Sequence, residues 1–179
     1  MNKTLLSAAL IASFGFAALA PMGAQAASTG TINFTGKVLA DTCAISVNGS
    51  GTSTVALPTV MTAAFGASVG TVAGATPFTI ALTGCDPNTA SAKMAFNGTN
   101  VDTTSGNLKN ATGGGSNVQI QLLNSAAAVI NTSTQVNAPT IAVASGAGST
   151  SLTAQYISTA TATTAGLVTS SVGFTLTYQ

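Results

Sequence analysis

Histidine, tryptophan, arginine and glutamate are all absent from this 179-residue chain. Its only charged side chains are Lys3, Lys37, Lys93, Lys109, Asp41, Asp86 and Asp102, giving a formal net charge of +1. These absences exclude much chemistry. General acid–base catalysis needs a group that titrates near working pH, most often histidine or a tuned carboxyl. Metal centres draw on histidine, cysteine or clustered carboxylates. Nucleic-acid binding needs a basic surface to neutralise phosphates. The expectation is a structural or interaction protein with no catalytic residues, no metal, no cofactor and no nucleic-acid partner.

What is present begins with an export signal. Lys3 gives a positive start, residues 5–19 are apolar or small, and Ala24 and Ala26 stand at the −3 and −1 positions of a signal-peptidase site. Residues 1–26 are therefore expected to be a cleaved signal peptide. The apolar run is too short for a span of roughly 20 residues, and no later run is longer, so stable membrane insertion is not expected. Only two cysteines occur, Cys43 and Cys85. In an exported chain these imply one intramolecular disulfide.

The remainder is rich in Thr, Ser, Ala, Val and Gly, a composition suited to short strands and turns. No segment carries a convincing helical stripe. Several alternate instead: Ile32, Phe34, Gly36 and Val38; Phe78, Ile80 and Leu82; Val118, Ile120 and Leu122; Val168, Val172, Phe174, Leu176 and Tyr178. Weaker strand candidates lie at Val47, residues 55–57, 93–96 and 151–157, and a helical turn is expected around Ala63, Ala64 and Phe65. Turn signals such as Asn48-Gly49, Asn97-Gly98 and Gly113-Gly114-Gly115 separate them. The pattern predicts an all-β antiparallel sandwich of seven or so strands. Cys43, Ile45 and Val47 are out of phase with Ile32, Phe34 and Val38, so a bulge or sheet switch is expected near Asp41.

Three stretches carry a resemblance. Gly30-Thr31-Ile32-Asn33-Phe34-Thr35-Gly36-Lys37-Val38 precedes Cys43, Phe78-Thr79-Ile80-Ala81-Leu82-Thr83-Gly84 precedes Cys85, and Gly173-Phe174-Thr175-Leu176-Thr177-Tyr178-Gln179 closes the sequence. In this order the chain resembles a major structural pilin of the chaperone–usher type, close to type 1 fimbrial subunits. The resemblance implies an incomplete immunoglobulin-like sandwich (residues 39–179) with an apolar groove open where its last strand would lie. It implies a homopolymer built by donor-strand exchange, in which residues 27–38 of one subunit fill the groove of another. Gly30, Ile32 and Phe34 would be the donor residues, and Cys43 and Cys85 the subunit disulfide. Phe174, Leu176 and Tyr178 would line the strand that pairs with a periplasmic chaperone, and the Gln179 carboxylate would anchor basic chaperone residues. An outer-membrane usher would be the further partner, and the surface fimbrium the destination. Two alternatives stay open: a self-contained secreted sandwich, and a minor or tip fimbrial subunit.

Overall fold

The computed structural model describes residues 31–38, 42–49, 53–113 and 115–179. The chain divides into two units, Met1–Gly36 and Lys37–Gln179. Within the first, residues 31–36 form no strand, and Ile32 and Phe34 are exposed. The expected signal peptide, Gly30 and the break at Asp41 lie outside the described residues.

The second unit is a two-sheet sandwich of antiparallel strands. Its strands are β1 (Ala44–Val47), β2 (Val72–Thr83), β3 (Ser91–Asn97), β4 (Leu108–Lys109), β5 (Val118–Leu123), β6 (Val129–Ile130), β7 (Thr140–Ala142), β8 (Gly148–Ser158) and β9 (Gly173–Tyr178). One sheet runs β1-β2-β8-β5-β4, with β6 also on β5; the other runs β7-β3-β9. The alternation read from the sequence sets the inner faces. Ile80, Leu82, Leu152, Ala154 and Leu122 from the first sheet meet Ala92, Met94, Phe96 and Ile141 from the second, all buried. A period of two places one apolar row on each inner face, and burying both rows drives the sheets together.

Several local features have specific causes. The ladder between β2 and β8 shifts register between Ala73 and Thr76. Gly74 makes this bulge possible: its φ is +68°, and a Cβ there would stand 3.0 Å from the Tyr156 ring. Pro77 sits within a long strand, yet β1 pairs only with Ile80 to Thr83, so Pro77 lies where that side of β2 is an edge. The helical turn forms as a 3-10 helix, Thr62–Phe65, with Phe65 buried.

Two expectations need correction. The alternation from Val168 does not begin a strand there; β9 starts at Gly173. Residues 55–57 carry strand-like alternation but join no ladder. The segment before β9 is held instead by two isolated main-chain bonds, Ala111 N to Thr169 O and Ser116 N to Leu167 O, and by side chains. Asn110 Nδ2 donates to the Ser116 and Leu167 carbonyls, both at 2.9 Å, and Asn110 Oδ1 accepts from the Thr112 and Thr169 amides, both at 3.0 Å. The amide of one asparagine thus satisfies four partners and clasps the β4–β5 loop to the β8–β9 loop. Gly115 lies at the crossing, where a Cβ would come within 2.2 Å of the Leu167 carbonyl oxygen.

Candidate functional site: an open groove beside β9

The short sheet is where the fold is unfinished. Strand β9 pairs with β3 on one side only. Gln179 and Ser91 exchange both main-chain bonds, Gln179 N to Ser91 O at 2.9 Å and Ser91 N to Gln179 O at 3.2 Å. The alternation of an antiparallel ladder then turns the N–H and C=O of Phe174, Leu176 and Tyr178 away from β3. Among the described residues nothing bonds to these three amides.

The same three side chains point inward and are only half buried, although they pack on the core. Beside them lies an open cavity of about 330 Å³, whose lining includes Val55, Leu57, Phe78, Phe96, Ile120 and Phe174. A second cavity of about 440 Å³ continues from Leu57 past Met61, Phe65, Tyr156 and Leu167. Together they make an apolar trough bounded by residues 163–174 and residues 53–61. Buried main-chain groups without partners are costly. An open strand edge above an apolar trough is therefore a site for an added strand: main-chain bonds fix its direction, and alternate side chains enter the trough.

The opposite edge of β3 is closed. Before β7 begins, Gln135 folds inward: the Phe96 amide donates to Gln135 Oε1 at 2.7 Å, and Gln135 Nε2 donates to the Phe96 carbonyl at 2.9 Å and to the Thr132 carbonyl at 2.7 Å. Its primary amide replaces a missing ladder partner at Phe96, and β9 is the edge of this sheet that lies beside the trough.

The predicted site residues fall as follows. Phe174, Leu176 and Tyr178 lie together on the open edge, with Phe174 lining the trough. Gln179 continues β9, its main-chain oxygen accepting from the Ala90 and Ser91 amides. Cys43 and Cys85 are joined as a disulfide that ties the start of β1 to the end of β2. Ile32 and Phe34 are 77% and 89% exposed and sit on the described part of the N-terminal segment. Sequence reasoning missed Val55, Leu57, Phe96, Ile120 and Val172 as trough residues. Alternation marks Ile120 as inward-facing, but which inward residues stay uncovered depends on the pairing of distant strands.

Titratable groups have structural roles here. The Thr104 amide, then the Gln119 side chain, hold the Asp102 carboxyl below its ordinary value, in a turn away from the trough. Burial beside the second cavity pushes the Tyr156 phenol up. Among the described residues no helix is long and apolar enough to cross a membrane.

The fold and groove define a class, the incomplete immunoglobulin-like sandwich with one unpaired inner edge. Comparison with known proteins gives the family. The fimbrial protein family matches residues 32–179, and the chain belongs to it. The chain is 40% identical to the F17 fimbrial protein of Escherichia coli over 175 residues, covering 92% of this chain and 96% of that protein. It is also 40% identical to the major fimbrial subunit SMF-1 of Stenotrophomonas maltophilia strain K279a over 171 residues, covering 90% and 99%. Among solved structures, the P pilus rod subunit PapA shares the fold with a TM-score of 0.59 at 23% identity, covering 78% of this chain and all of that one. An antigen and type I fimbria protein of Burkholderia pseudomallei has a TM-score of 0.55 at 29% identity, covering 84% and 99%. The chain is a structural fimbrial subunit and not an enzyme.

Proposed function

We propose that this subunit polymerises by donor-strand exchange, residues 27–38 of one copy lying along β9 of the next, within a surface fimbria used in adhesion. The observation that carries the reading is the pairing of two incomplete parts in one chain. The β9 edge and trough lack a strand, and the N-terminal segment carries exposed Ile32 and Phe34 with the alternation a strand needs. Gly30, Ile32 and Phe34 are the inward residues of the donor. Burying Ile32 and Phe34 contributes about 1.5–3 kcal/mol each. Bonds to the six outward N–H and C=O groups of Phe174, Leu176 and Tyr178 contribute about 0.5–1.5 kcal/mol apiece.

The contact is heterologous and does not close on itself, so repetition gives a fibre. An open edge over an apolar trough is an aggregation hazard before assembly. A periplasmic chaperone covers that edge during export, with Phe174, Leu176 and Tyr178 as its strand partners and the Gln179 carboxylate as its anchor. An outer-membrane usher then oversees exchange. Deletion of residues 27–34, with the subunit co-expressed with its chaperone, tests this. Loss of polymers with retention of soluble subunit is expected; polymers at normal yield overturn strand donation by this segment.

A further inference from the structure

A short tether links the donor segment to its own body. Only residues 39–42 separate Val38 from Cys43, which the disulfide fixes to Cys85. At about 3.3–3.6 Å per residue the tether reaches roughly 18 Å. Once the donor lies in a groove, its body is therefore held within that reach of the mouth by which the donor leaves.

The groove has two mouths of different character. At one end lie Cys85, the Ala90 and Ser91 amides that hold Gln179, and the start of β8, where Cys85 N bonds Gly146 O at 3.0 Å. At the other, β2 and β5 begin, β8 ends and residues 163–168 lead toward β9. This far mouth carries an apolar collar. Met61 is 76% exposed, Val69 61%, Val72 44% and Leu167 74%. The members are tied to one place: Val72 pairs with Ile157, Gly70 N bonds Ser158 O, and Met61 and Leu167 both border the second cavity with Tyr156. The other exposed large apolar side chains among the described residues are Ile32, Phe34 and Val38 on the donor, and Ile45, Val129 and Val136 elsewhere on the sandwich.

Resting on the donor-strand reading above, we propose that the collar of Met61, Val69, Val72 and Leu167 is the seat for the body of the neighbouring copy. The donor then runs antiparallel to β9 and leaves by the far mouth. Its disulfide end, with the loop at residues 84–90, packs on the collar, which is thereby removed from water. The contact sets the angle between successive subunits and adds to the strand's grip. A donor running parallel to β9 would leave by the disulfide end and leave the collar bare.

The test uses subunit recovered from the periplasm and freed of its chaperone, with two readouts: uptake of a free peptide spanning residues 27–38, which has no body, and growth of polymers from whole subunits. Val69 and Val72 border neither cavity. The Val69→Glu, Val72→Glu double variant is expected to take up peptide as wild type does, while polymer growth falls at least about tenfold. Val129→Glu, Val136→Glu is expected to change neither. Unchanged growth in the collar variant overturns the seat and leaves strand donation standing. If wild-type subunit takes up no peptide, the donor reading itself fails and the seat fails with it. If the double variant loses peptide uptake as well, Val69→Ser decides: slower growth with normal uptake supports the seat, and normal growth overturns it.

Discussion

Phe34 separates stability of the subunit from stability of the fibre. In the single chain this side chain is 89% exposed. Exposed positions free of special contacts change stability by no more than about 0.5 kcal/mol when truncated, so Phe34→Ala leaves the unfolding of soluble subunit nearly unchanged. On the donor-strand proposal the same ring lies buried against apolar walls in a neighbour's trough. Removing a buried phenylalanine costs about 3–5 kcal/mol. The trough walls Phe78 and Phe174 are only half buried and can relax into the gap, which argues for the lower end. A loss of about 3 kcal/mol per junction is a weakening of roughly 100-fold. The assay compares denaturant unfolding of soluble subunit with denaturant release of subunits from polymer, in wild type, Phe34→Leu and Phe34→Ala. Release is expected to become easier in that order while subunit unfolding stays put. An equal loss in both measurements, or polymers indifferent to Phe34→Ala, refutes the reasoning.

Other outcomes follow from the same structure. Replacing both Cys43 and Cys85 by alanine opens a loop of sequence separation 42; chain entropy predicts a loss of about 4 kcal/mol in denaturant unfolding, and a loss below about 1 kcal/mol would show that the bridge does not limit stability. Gly115→Ala places a Cβ against the Leu167 carbonyl, whereas Gly113 has open space around it; the first is expected to lose about 1–3 kcal/mol by thermal melting and Gly113→Ala almost nothing. Gln135→Ala strips the Phe96 amide and carbonyl of their partners, costing about 1–3 kcal/mol. Light scattering should then reveal association that persists when residues 27–34 are deleted; association that depends on those residues would count against Gln135 as an edge closure.

Much of this arrangement is legible in the residues, for identifiable reasons. Strict alternation at Phe78, Ile80 and Leu82 and at Phe174, Leu176 and Tyr178 gives both the strands and their inward faces, because a period of two leaves little freedom. The short strands β4, β6 and β7 escape notice because two or three residues carry no period. Residues 168–172 mislead in the other direction: their alternation is real, but Asn110 and the Gly115 crossing hold this segment in a clasp instead of a ladder. The trough could be expected only from resemblance. Its walls combine Val55, Phe96 and Ile120, residues brought together by pairings that no local pattern encodes. The collar was equally hidden, since Met61, Val69, Val72 and Leu167 come from separate segments.

The central claim is that the outer edge of β9 is finished by residues 27–38 of another copy. Amide hydrogen exchange at Phe174, Leu176 and Tyr178 measures that edge directly, because their N–H groups face away from β3. In subunit freed of its chaperone these three amides should exchange fast beside protected neighbours at Thr175 and Thr177, and addition of the peptide spanning residues 27–38 should slow all three at least about tenfold. Three amides that exchange at the same rate with and without the peptide would contradict the account.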